Sequence, residues 1–149
     1  MPALVQRIIR RPPTQRRSFN EPSGVAVDSS GILYVVDGNN HRIRKITSAG
    51  VVTTIAGDGT TTQFNDPNGV AVDSSGNLYV ADTRNHRIRK ITSERGVSPL
   101  AGTGTAGHHD ATGTEAQFDG PTGVPWIHPA FSMWRIQITT VYGKSHRQG

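Results

Sequence analysis

The chain has 149 residues, with 16 Lys or Arg against 11 Asp or Glu, and no cysteine. That length suits a single domain, the missing thiols exclude a disulfide framework and thiolate metal sites, and no apolar run approaches the length of a membrane span. The formal charge is +5, yet residues 19–124 hold 8 basic and 11 acidic side chains, so the basic character sits in the two ends and gives the body no nucleic-acid footprint.

In chain order, residues 1–18 come first. "MPALVQRIIRRPPTQRR" combines paired prolines with dense like charge, which predicts a basic, disordered arm. It lacks the long apolar core and small-residue cleavage site of a secretory signal, so the compartment is not assigned.

From Phe19 the sequence begins to repeat itself. "FNEPSGVAVDSSGILYVVDGNNHRIRKITSAGVVTTIAGDGTTTQ" is answered from Phe64 by "FNDPNGVAVDSSGNLYVADTRNHRIRKITSERGVSPLAG", and a third copy opens at Phe118 with "FDGPTGV". The units are residues 19–63 and 64–117, and their length difference falls in the loop after the "AG" pair, where insertions cost little. Within each unit four short runs read as strands: "GVAVD", "LYVVD" or "LYVAD", "RIRKI", and "VVTTIAG" or "GVSPLAG". They are rich in β-branched and aromatic residues and are parted by Asp, Ser, Asn and Gly, whose side-chain bonds and tolerance of positive φ favour tight reversals. The prediction is an all-β chain built from four-stranded antiparallel meanders. Each sheet is apolar on both faces, so copies must stack to bury them.

These motifs, "P-x-G-V-A-V-D-x-x-G-x-L-Y-V-x-D" followed by "N-H-R-I-R-K-I" at Asn40–Ile46 and Asn85–Ile91, resemble the NHL repeat. The resemblance spans residues 19–124 and implies a β-propeller, usually of about six blades, of which this chain supplies about two. An intact member is expected to act as a non-catalytic scaffold that binds a protein or a small ligand, without a cofactor. Two competing classes that the resemblance also implies are a lyase or lactonase-like enzyme with an axial metal and a propeller that binds RNA through a basic face. Open strand edges and uncovered blade faces make self-association an expectation.

Several residues carry chemistry worth placing. His41 and His86 recur in each unit, as do Asp37 and Asp82, and side-chain bonds that tie turns are their expected role. Asn40, His41, Arg42 and Arg44, echoed by Asn85, His86, Arg87 and Arg89, form the candidate repeat-motif surface. With Lys45 and Lys90 they are expected as a solvated basic stripe, and a nucleic-acid partner is not expected because exposed aromatics for base stacking are missing. "AGTGTAG" matches G-x-G-x-x-G at Gly102, Gly104 and Gly107, but no helix pattern follows, which predicts a repeat-joining loop rather than a dinucleotide site. His108, His109 and Asp110 are neighbours on that loop with no further ligand in view, so neither a metal site nor catalytic residues are assigned.

After Val124 the third copy abandons the pattern. If the codons from this point are read one base out of step, allowed codon choices give "AVDSSGILYVADTNNHRIRKITSAG". This string equals Ala26–Gly50 except at two positions, which take Ala81 and Thr83 of the second copy. "MPALVQR" shifted likewise permits "AGTGTA", the string at Ala101–Ala106. The expectation is that both ends translate blade-coding DNA out of frame. In that case residues 118–149 are the start of a third repeat followed by an out-of-frame tail, in which "WRIQITTVY" alternates like a strand by accident.

Overall fold

The computed structural model describes residues 18–125; the expectations for the basic arm and for the tail fall on residues 1–17 and 126–149, outside the described residues. The chain forms two four-stranded antiparallel sheets, each a meander in sequence order. The first comprises β1 (Pro22–Val27), β2 (Leu33–Asp37), β3 (Arg42–Ile46) and β4 (Val52–Ala56). The second comprises β5 (Val70–Val72), β6 (Leu78–Asp82), β7 (Arg87–Ile91) and β8 (Val97–Ala101). Every strand lies on one of the runs anticipated from composition. The described part is two blades of a β-propeller.

Turn chemistry sets the register. At the first reversal the Oδ1 of Asp28 accepts the backbone N–H of Ser30 at 2.9 Å and of Ile32 at 3.0 Å, and Asp73 does the same for Ser75 and Asn77. This Asx turn fixes where β1 stops and β2 begins, so Val27 faces Leu33 and Val72 faces Leu78. The second reversal, Gly38–Asn40 in the first blade and Thr83–Asn85 in the second, is a short 3-10 turn ending at His41 and His86, both with φ near +50°.

Period-2 alternation then divides each sheet into two apolar faces. One face of the first blade, bearing Tyr34, Val36, Ile43 and Ala56 with Ala26 beside them, packs on Val70, Val72, Leu78, Val80 and Ile91 of the second. Phe64, at the entry to the second blade, is fully buried in the same cluster. The two inner strands meet closely. A Cβ on Gly24 would lie 2.5 Å from the carbonyl oxygen of Asn68, and one on Gly69 would lie 2.6 Å from that of Thr122. Glycine in "P-x-G-V" is therefore required by the approach of the next repeat's backbone. The second of these contacts also shows that Phe118–Val124 seats itself on the second blade as Phe64–Val70 does on the first.

Candidate functional site

A meander places its first and third turns at one end of the blade and its second turn, with the crossover to the next blade, at the other. The "N-H-R" residues occupy the crossover end. There Asp37 is fully buried. Its Oδ1 accepts the backbone N–H of Asn20 at 2.8 Å and the Nδ2 of Asn40 at 2.9 Å, and its Oδ2 accepts the Nη1 of Arg44 at 3.3 Å. Asp82 repeats the arrangement with the N–H of Asn65, the Nδ2 of Asn85 and the Nη1 of Arg89. A buried carboxylate is tolerable only with such compensation. Burial pushes Asp82 up, and the Asn65 N–H, the Asn85 amide and Arg89 pull it back only in part, so its pKa stays above the ordinary carboxylate value.

The arginines are correspondingly committed. Arg44 and Arg89 side chains are only 11% and 13% exposed, and their guanidinium groups lie 5.6 Å and 5.7 Å from the ring centres of Phe19 and Phe64. This corrects the expected solvated stripe: β3 and β7 turn these cations into the blade, where the Asp–Arg pair and the Phe ring reward burial. Arg42 and Arg87 donate from Nη2 to the carbonyls of Asp58 and Thr103. A Cβ on Gly59 or Gly104 would come within 2.5 Å or 2.6 Å of those nitrogens. The second glycine of "AGTGTAG" thus makes room for Arg87, and the segment is a loop that closes on Phe118 and Gln117 through isolated bridges.

His41 and His86 reach across the blade junctions. The Nδ1 of His41 accepts the backbone N–H of Asp66 at 3.0 Å, and that of His86 accepts the N–H of Gly120 at 3.1 Å. An accepting nitrogen is unprotonated, so each ring carries its proton on Nε2. His108, His109 and Asp110 are exposed. Among the described residues no three His, Cys, Asp or Glu side chains gather to hold a metal ion.

At the opposite end lies a site that the sequence reading did not single out. An open cleft of about 460 Å³ runs between β1 and β5, lined by Val25–Ser29, Val70–Ser74 and Val124. Its walls are valine and alanine; its rim is the paired Asp-Ser turns. Asp28 accepts the Tyr34 hydroxyl at 3.1 Å and Asp73 accepts that of Tyr79 at 3.0 Å. Partial burial pushes both carboxyls up, but the turn N–H groups and the phenol in each blade outweigh it, with Lys45 adding attraction at Asp28 and the Asn77 amide at Asp73. Both acids therefore sit below the ordinary value and are ionised near neutrality. Desolvation, and then the Asp bond, raises Tyr34 and Tyr79. The signal that was available is "V-A-V-D-S-S-G" itself, identical in both copies at the innermost strand.

A family model of the NHL repeat matches residues 19–46 and 64–91. Comparison with curated proteins gave no match. Among solved structures, the chain is similar to a protein of unknown function from Bacteroides thetaiotaomicron, with 30% identity and a TM-score of 0.58 over 63% of this chain and 27% of that one. It is also similar to an auxiliary nutrient binding protein from the same organism, at 22% identity and TM-score 0.58, covering 67% and 31% of the two chains. A third likeness is to an auxiliary nutrient binding protein from Bacteroides ovatus, at 20% identity and TM-score 0.55, covering 70% and 26%. The chain spans only about a quarter to a third of the length of these structures. The two matched repeats coincide with the first three strands of each blade, so the chain carries two NHL repeats in a partial β-propeller.

Proposed function

We propose that the chain is part of an NHL propeller that binds a protein or small ligand without converting it, with the cleft between β1 and β5 as the binding surface. One observation carries this reading: the Asp, Asn, His and Arg side chains of the repeat motif are engaged in blade architecture, bonded to turn amides, loop carbonyls and the entering strand of the next blade. A guanidinium already paired with a buried carboxylate is a poor phosphate ligand, which also speaks against the RNA-binding alternative. What lines the cleft between β1 and β5 is two close-set inner strands edged by ionised aspartate and exposed serine, suited to holding a ligand in place. The test is a binding screen on the full chain, followed by recovery of any bound compound. A ligand recovered chemically unchanged, whose binding is lost in Ser29→Trp at the exposed rim of the cleft, supports the proposal; turnover of that compound overturns it.

We further infer that residues 19–63 and 64–117 are complete blade units and that the codons after Val124 encode a third blade in a shifted frame. The seating of Phe118–Val124 on the second blade supports this, through His86 to Gly120 and through the Thr83 hydroxyl to the carbonyl of Pro121 at 2.8 Å. The coding DNA decides it: codons incompatible with the offset blade overturn the inference.

A further inference from the structure

The two blades end in outer strands that differ in one respect. In β4 the backbone direction is set by its turn. Thr47 donates its N–H to the carbonyl of Val51 at 3.0 Å, and the Thr47 hydroxyl oxygen accepts the Val51 N–H at 3.2 Å. Val51 therefore spends its peptide groups on Thr47, the residue that follows β3. Antiparallel alternation then turns those of Val52 outward, of Thr53 inward toward Lys45, and of Thr54 outward. In β8 the residue at the place of Thr54 is Pro99: Pro99 stands opposite Arg89 as Thr54 stands opposite Arg44. Proline has no N–H to give. It is accommodated in β8 because that N–H faces away from the sheet, and the same fact removes a donor from the outer edge of the second blade.

No such guard protects β4. The stretch Val51–Ala56 reads "VVTTIA", without charge, proline or glycine, and five of its six residues are β-branched. Thr53 and Thr54 are exposed, and Val51 is 45% exposed. Among the described residues β4 pairs only with β3, and an uncharged, β-branched outer edge of this kind is a template for another strand.

We propose that β4 is an interaction edge that takes β4 of a second copy of this chain, antiparallel about a two-fold axis at Thr53. In this register the outward groups of Val52 meet those of Thr54 of the second copy, and the reverse, giving roughly four backbone hydrogen bonds. Thr53 faces Thr53 across the axis, a favourable cross-strand pair. The register stops short of the irregularity that separates the pairs at Ile43 and Arg44. The second blade is excluded from the same pairing by Pro99. The partner is thus a second copy joined edge to edge, sheet to sheet, and independent of the open apolar face of the first blade.

Sedimentation of the full chain across a wide concentration range is the test. The wild type moves from one chain's mass toward two. Thr54→Pro, which installs in β4 the residue that β8 already accommodates, keeps the circular dichroism of the wild type and weakens association by roughly a hundredfold or more. Pro99→Thr opens the second edge and produces assemblies beyond the dimer. A wild type that stays monomeric overturns the proposal, as does association unchanged in Thr54→Pro or Pro99→Thr. Should Thr54→Pro fail to fold, amide exchange of the wild type decides: protection of Val52 and Thr54 that rises with concentration supports the edge, and none there overturns it.

Discussion

The same residues, offset by one repeat, lead different lives in the two blades. Val25 and Val27 are 62% and 57% exposed, whereas their counterparts Val70 and Val72 are 8% and 7% exposed. Leu33 and Ile46 are half-buried where Leu78 and Ile91 are buried. Nothing local distinguishes them, since β1 and β5 share "GVAVDSSG" and occupy the same place in their sheets. The difference is that the second blade has the Tyr34–Val36–Ile43 face to cover it, and the described part of the first blade has no preceding sheet. Burial in a repeat protein is thus a property of the junction rather than of the unit, and stability follows the junctions.

Substitutions at matched positions test this asymmetry, here from the largest expected effect to the smallest. Phe64→Ala empties the centre of the junction and is expected to cost about 3–5 kcal/mol, while Phe19→Ala, at a half-buried ring, costs clearly less. Urea unfolding followed by circular dichroism compares them, and equal losses would mean that the first blade is as well covered as the second. Val72→Ala removes about two buried methylene equivalents and costs about 2 kcal/mol; Val27→Ala stays within about 0.5 kcal/mol.

The histidine clip gives an intermediate test. His41→Ala leaves the Asp66 N–H without its acceptor and costs about 1–2 kcal/mol, and His41→Asn, whose side-chain oxygen can occupy the Nδ1 position, recovers part of it. Limited proteolysis at the crossover should rank wild type, Asn and Ala in that order.

The smallest effect is one of pH. Asp28 and Asp73 are held below the ordinary carboxylate value, so folding binds fewer protons at these two groups than the unfolded chain does. Their stabilisation is present above the unfolded value near 3.9 and is lost as pH falls through the depressed folded values. Asp82 has the opposite sign: its folded value is raised, so its contribution is present below the unfolded value and declines as pH rises through the folded one. Tyr34→Phe removes one bond to the Asp28 carboxylate. It is expected to destabilise near neutrality and to match the wild type in acid, once Asp28 is protonated in both. Denaturant midpoints measured from acid to neutral pH check this; a difference independent of pH would mean that the hydroxyl does not serve the carboxylate.

Strand runs, turn positions and the antiparallel order of each sheet were legible because they rest on short-range chemistry: β-branched runs, Asp bonding its own turn, glycine where the chain reverses. The polar residues were harder. Arg44 and Arg89 alternate along strands as surface cations do, and only the Phe ring and the buried Asp, each brought in from elsewhere in the repeat, turn them inward. His41 bonds an amide 25 residues away in the next repeat, a partner that spacing alone does not identify. The cleft between β1 and β5 went unread because its lining comes from two inner strands a full repeat apart, each an ordinary strand in isolation.

The sequence by itself determined the repeat, the four strands of each blade, the reversals between them, and the need for something to cover both faces, because these follow from propensities and periodicities within one unit. Only the tertiary structure decided which face is covered, which cations are buried and where a cleft opens. Each of those depends on contacts between units, and two units with nearly the same sequence acquire different surroundings only when one is laid against the other.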